Sequence, residues 1–224
     1  MRNLIFITLC ILTQSCNSPK KDLSKITFTE KYDTFFGEIP NKFELSVLAK
    51  TYTGYYESES DEILHFNGSN LSDYRTEEGG FGTNSVRFAF TKKDHILCEH
   101  IVDLNTEKSI QKMIGALNSK FGKAKFVSKL DLTDDLPDSY IWQDKQIIYL
   151  LMGTTQNSAW LTVFDISYKE LYDNRISGPF MYYYDYLEYL NKNHKTQKQI
   201  SYYQYAKIME DEGSDFCIDN YVEP

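Results

Sequence analysis

Residues 107–121 read EKSIQKMIGALNSKF, and this stretch decides the fold. Ile110, Met113, Ile114, Leu117 and Phe121 recur at i, i+3, i+4, i+7 and i+11, which places them on one face of a helix. Asn105 or Thr106 can cap its start. Gly122 stands where a helix closes in a left-handed residue. A helix with one apolar stripe needs an apolar surface to lie on, and the flanking sequence supplies strands.

Upstream, Val86, Phe88 and Phe90 alternate with Arg87, Ala89 and Thr91, a period of two. Lys92-Lys93-Asp94 predicts a turn. The segment 95–104 (HILCEHIVDL) follows, with Ile96, Cys98, Val102 and Leu104 expected on one face. Downstream, strands are predicted at 125–130, 140–143, 146–152 and 159–167, with a tight hairpin at Asp144-Lys145. Short strands joined by turns make an antiparallel meander, and one helix across it makes an α+β fold. Residues 42–48, 51–56 and 62–66 read as further strands, and 77–83 (EEGGFGT) as a loop.

The C-terminal part is rich in tyrosine. In 181–190 (MYYYDYLEYL), Tyr183, Tyr186, Leu187 and Leu190 fit helical spacing, widened by Tyr182 and Tyr189. A second helix is expected over 197–210, with Tyr202, Tyr205, Ala206 and Met209 inward. Gly178-Pro179 breaks the chain before them. The expected organisation is thus a leader (1–15), a tether (16–25), an α+β domain (26–176) and a tyrosine-rich helical segment (177–224).

Composition narrows the function. The 224 residues are 42% hydrophobic and 25% charged, which excludes disordered and fibrous classes. Lys+Arg is 24 against 32 Asp+Glu, so the net charge of −8 repels phosphate backbones and disfavours nucleic acid. The 18 Tyr and 14 Phe suit core and sheet packing, and equally sugar stacking or protein anchoring; helical spacing at Tyr183 and Tyr186 favours packing.

The N-terminus carries an address. Met1-Arg2-Asn3 is followed by the apolar block Leu4–Leu12, then Thr13-Gln14-Ser15 and Cys16. The block is too short to span a bilayer and reads as a signal peptide. Residues 1–16 resemble the lipobox leader of bacterial lipoproteins in the looser, Bacteroidetes-type form ending in Ser-Cys; Thr13 and Gln14 depart from the strict pattern. The resemblance implies cleavage before Cys16, with diacylglycerol on its sulfur and an acyl chain (such as palmitate) on its nitrogen. It implies a cell-envelope protein held to membrane lipid, outer rather than inner, with Asn17–Lys25 as a polar tether.

Motifs with chemistry are few. Glu57, Glu59 and Asp61 alternate, but a calcium loop needs Gly at position six and Glu at twelve, where Glu62 and Gly68 stand; they read as a solvated turn. Asp131, Asp134, Asp135 and Asp138 read as a second acidic loop. His95, Cys98 and His100 fall short of a zinc site. Strand alternation leaves only Cys98 and His100 on one face, and two ligands do not make a site. Gly79–Gly82 lacks a phosphate-loop context. Asn67-Gly68-Ser69 and Asn70-Leu71-Ser72 read as a turn. Cys98 and Cys217 make one bridge or two independent thiols, with independent thiols as the default. Nucleophile motifs and cofactor signatures are absent. The expectation is an anchored binding module, without catalytic residues, cofactor or metal, for an envelope protein or glycan. The alternatives are an anchored hydrolase of envelope or dietary polymer and an acidic immunity or inhibitor protein.

Overall fold

The computed structural model describes residues 21–47, 49–73, 82–129, 137–154, 158–176, 180, 182–193, 200–214 and 221–222. The lipobox, Asp131, Asp134, Asp135, His194, Cys217 and the glycines of 79–80 lie outside the described residues.

The strands are β1 (Lys42–Leu45), β2 (Tyr52–Ser58), β3 (His65–Phe66), β4 (Ser69–Asn70), β5 (Ser85–Thr91), β6 (Leu97–Leu104), β7 (Phe126–Ser128), β8 (Ser139–Asp144), β9 (Ile147–Met152), β10 (Ala159–Asp165) and β11 (Tyr221–Val222). The helices are α1 (Tyr32–Phe35), α2 (Glu107–Phe121), α3 (Lys169–Arg175), α4 (Tyr183–Asn193) and α5 (Tyr202–Asp211). Nine strands form one antiparallel sheet in the order β1-β2-β5-β6-β10-β9-β8-β7-β11, and β3-β4 is a separate hairpin. The sheet is thus two meanders laid side by side. Helix α2 carries the chain from β6 over to β7, so that β10 returns beside β6.

Local chemistry explains the elements. Thr106 Oγ1 accepts from Ser109 N at 3.1 Å and caps α2. Gly122 closes it at φ +78°, a conformation open to glycine. Ile110, Met113, Ala116 and Leu117 are buried under it, while Ile114 and Phe121 sit at the margin. Lys145 turns the β8–β9 hairpin at φ +55°. Ser201 and Gln204 form a capping box that starts α5 five residues later than its periodicity suggested, at Tyr202.

The sheet is covered on both faces. On the first, α2, the N-terminal segment and β3-β4 bury Val86, Phe88, Val102, Leu161 and Val163. On the second, the tyrosine-rich helices pack over β7–β10. Phe126 meets Phe180 at 5.4 Å and Tyr202 at 4.7 Å between ring centroids, and Tyr183 Oη donates to Gln143 Oε1 at 2.7 Å. The C-terminal helices therefore complete the core rather than follow it. Residues 22–25, expected to lie outside the folded body, pack against it. Leu23 is buried in a 3-10 turn, and the Asp22 carboxylate accepts from Ser24 N, Asn67 N and Gly68 N, each at 2.9 Å.

Two irregularities break the strand alternation. In β5–β6, Ala89 pairs with Glu99 but Phe90 pairs with Leu97, which leaves Cys98 as an extra residue. In β2, the pairing with β5 shifts between Tyr52 and Tyr55. A bulge turns every later side chain to the other face. Cys98 accordingly leaves the face of Val102 and Leu104 and joins the second core, so it does not share a face with His100 as simple alternation predicted.

Candidate functional site

The strands β2, β5, β6, β10 and β9 floor a cleft of about 810 Å³ on the second face, walled by α3 and the segment around Ser46 and Ala49. Its polar floor follows from the alternation of β6 and from the irregularity in β2. Glu99 reaches the cleft side by plain alternation with Ile101 and Asp103, and the β6 bulge turns Cys98 to that side beside it. The β2 irregularity puts Tyr52 and Tyr55 on that same side, although three residues separate them.

Glu99 is 0% exposed and meets the Arg175 guanidinium two-pronged: Nε to Oε1 at 2.6 Å and Nη2 to Oε2 at 3.1 Å. Tyr55 Oη donates to Glu99 Oε2 at 2.8 Å. Arg175 Nη2 donates to both Tyr52 Oη and Tyr55 Oη, and these two hydroxyls share a hydrogen bond of 2.7 Å. A buried carboxylate is tolerated only with such partners. Burial lowers the Arg175 pKa, but the hydrogen bonds and charge of Glu99 outweigh it and hold the guanidinium firmly protonated. Burial, then the Glu99 charge, pushes the Tyr55 hydroxyl far above the usual phenol range, so it stays a donor.

One row along the sheet lies a second pair. Arg87 donates to Asp103 through Nε at 2.9 Å and Nη2 at 3.0 Å, and its guanidinium covers the Tyr55 ring at 5.5 Å. Asp103 stands directly across from Trp160, and Ile101 from Thr162. Trp160 is 39% exposed, a large ring left open beside two fixed ion pairs. At the lip, Glu170 accepts from Lys50 N at 2.7 Å and from Thr51 Oγ1, which ties α3 to the far wall. Burial pushes the Glu170 pKa up, but these bonds together outweigh it and lower the pKa.

The floor thus offers fixed donors, fixed acceptors and an aromatic plane, with little net charge. Both floor carboxylates are held by arginines, which orients them as acceptors.

The residues singled out by sequence fall elsewhere. Cys98 is a buried thiol that donates to Ala89 O at 3.3 Å, and burial raises its pKa well above the thiol range. His100 lies on the opposite face, stacked on Phe28 at 5.8 Å. His95 sits in the turn before β6 at φ +52°. Glu57 accepts from Ser85 Oγ at 2.8 Å, while Glu59 and Asp61 are exposed. Among the described residues no cluster of three or more His, Cys, Asp or Glu could hold a metal. No described helix is long and apolar enough to cross a membrane. Glu99, Arg175, Arg87, Asp103, Tyr55 and Trp160 were not foreseen. The available signal was Glu99 itself, a charge inside the apolar run LCEHIV.

Compared with known proteins, the chain matches no family model, no curated protein and no solved structure.

Proposed function

We propose that this chain is a lipid-anchored envelope protein whose body binds a glycan in the cleft on its tyrosine-rich face. The observation that carries the reading is Trp160, an open aromatic ring beside the Arg87–Asp103 pair. A sugar ring has an apolar face of C–H groups and a rim of hydroxyls that both donate and accept. An exposed indole suits the face, and arginine–carboxylate pairs of fixed geometry suit the rim. Two arginines against Glu99, Asp103 and Glu170 give the cleft no strong charge of either sign, which favours an uncharged polyol over a phosphate.

The anchor reading rests on Cys16 and its leader. From Cys16 to Lys21, where the backbone N–H donates to Glu62 O at 3.1 Å, is five residues. An extended chain of that length reaches at most about 17 Å. Leu23 enters the core on the α2 face, opposite the cleft, so a bilayer held close to residue 21 leaves the cleft turned away from it. Acylation at Cys16 gives the attachment, because each buried methylene contributes about 0.8 kcal/mol.

The binding claim is tested by sedimenting the wild-type chain and Trp160→Ala with insoluble peptidoglycan sacculi, chitin and cellulose. Capture by at least one polymer, lost in the variant, is expected. Capture by none, or equal capture of both proteins, contradicts it. For the anchor, radiolabelled palmitate is expected to label the wild type and not Cys16→Ala.

A further inference from the structure

Strand β1 is one edge of the nine-stranded sheet, and all four of its residues are exposed. Natural edge strands are usually shortened, covered or loaded with charge to prevent pairing. This one is four residues long and carries Lys42 and Glu44, yet it also presents Phe43 at 43% exposure and Leu45 at 70%. Its backbone phase is fixed by β2. Ser46 N donates to Thr53 O at 2.8 Å, and Leu45 stands opposite Gly54. Antiparallel ladders alternate, so Lys42 and Glu44 turn their backbone groups inward and Phe43 and Leu45 turn theirs outward. The outer edge therefore carries unused N–H and C=O groups at alternate residues.

We propose that β1 is the interface of a two-fold dimer, in which two copies pair antiparallel, edge to edge, with Phe43 on the axis. In this register Phe43 meets Phe43 of the second copy as a hydrogen-bonded pair, and Asn41 meets Leu45. Lys42 of each copy then lies opposite Glu44 of the other, twice by symmetry, in the closer non-bonded positions. The next register in the same phase places Glu44 against Glu44, so charge selects between them. Lys42 and Glu44 already lie on one side of the strand, 3.3 Å apart within the chain. The two-fold axis stands perpendicular to the sheet, so both α2 faces stay on one side. If Cys16 is acylated, both anchors then meet one bilayer. The dimer itself does not rest on that reading.

The test is the protein mass of the full chain in detergent micelles, measured by light scattering with the detergent contribution subtracted. Wild type is expected at twice the chain mass. Lys42→Glu and Glu44→Lys each set like charges opposite one another at both symmetric positions and are expected to raise the dissociation constant roughly tenfold or more. The double variant Lys42→Glu/Glu44→Lys restores opposite charges and is expected to dimerise again. Near-ultraviolet circular dichroism of each variant reports that the monomer is folded. A monomeric wild type overturns the proposal, and so does a dimer that single charge swaps leave intact. Failure of the double variant to recover while folded overturns the register.

Discussion

Glu99 and Arg175 show what a single buried charge demands. The carboxylate is fully enclosed, whereas the guanidinium is 28% exposed, so the two are not equivalent. Arg175→Met leaves Glu99 without its counter-charge and is expected to cost about 3–5 kcal/mol in urea unfolding. Glu99→Gln leaves an arginine that can still reach water and is expected to cost less; the reverse order would contradict this reading of the pair. His100 is the opposite case. Both ring nitrogens lack partners, Phe28 and Phe88 face the ring, and burial pushes its pKa down to about 3 from 6.5. The unfolded chain therefore binds a proton that the folded chain refuses between those two values. Above pH 6.5 His100 has no effect on stability, and as pH falls below it the folded state loses about 1.4 kcal/mol per unit. The stability difference between wild type and His100→Leu is expected to move by roughly 3 kcal/mol between pH 8 and pH 4.5, against the wild type. A difference that stays flat over that range would exclude a buried neutral histidine.

Among the elements, the strands and α2 were legible because their apolar periods are regular: Val86, Phe88 and Phe90 do face one way, and Ile110, Met113 and Leu117 do lie under the helix. Tyr183 and Tyr186, whose helical spacing favoured packing, are buried together with Tyr202 and Tyr205. The cleft was not legible. A bulge leaves no residue-type signature, and the two here reassign Cys98 and the Tyr52–Tyr55 pair to faces that a strict period of two denies them. Arg175 lies 76 residues from Glu99, beyond any local pattern. Gly54 marks the other irregular place. A Cβ there would sit 2.0 Å from Glu44 O, and backbone cannot yield cheaply. Gly54→Ala is expected to strip β1 from the sheet, with amide exchange at 42–45 accelerating while β8–β10 stay protected. Unchanged protection across 42–45 would show that β1 does not approach β2 so closely.

For the molecule as a whole, the division of labour follows from covering the sheet unequally. One face is sealed by α2 and by a chain entering at Leu23. The other is sealed by α4 and α5 over β7–β9 and left as a cleft over β2, β5, β6 and β10. On the proposed reading, attachment belongs to the first face and recognition to the second. The chain's two tryptophans make that recognition directly measurable. Trp142 is buried, its Nε1 bonded to Gly122 O at 3.1 Å, while Trp160 opens into the cleft. Acrylamide quenching should therefore act almost entirely on Trp160. The decisive measurement is that quenching in the presence of soluble oligosaccharides released from peptidoglycan, chitin and cellulose. The account predicts that at least one of them shields Trp160 and lowers the quenching constant, with no such change in Trp160→Phe. Quenching that is the same with every sugar at millimolar concentration, in a protein that is folded, would contradict it.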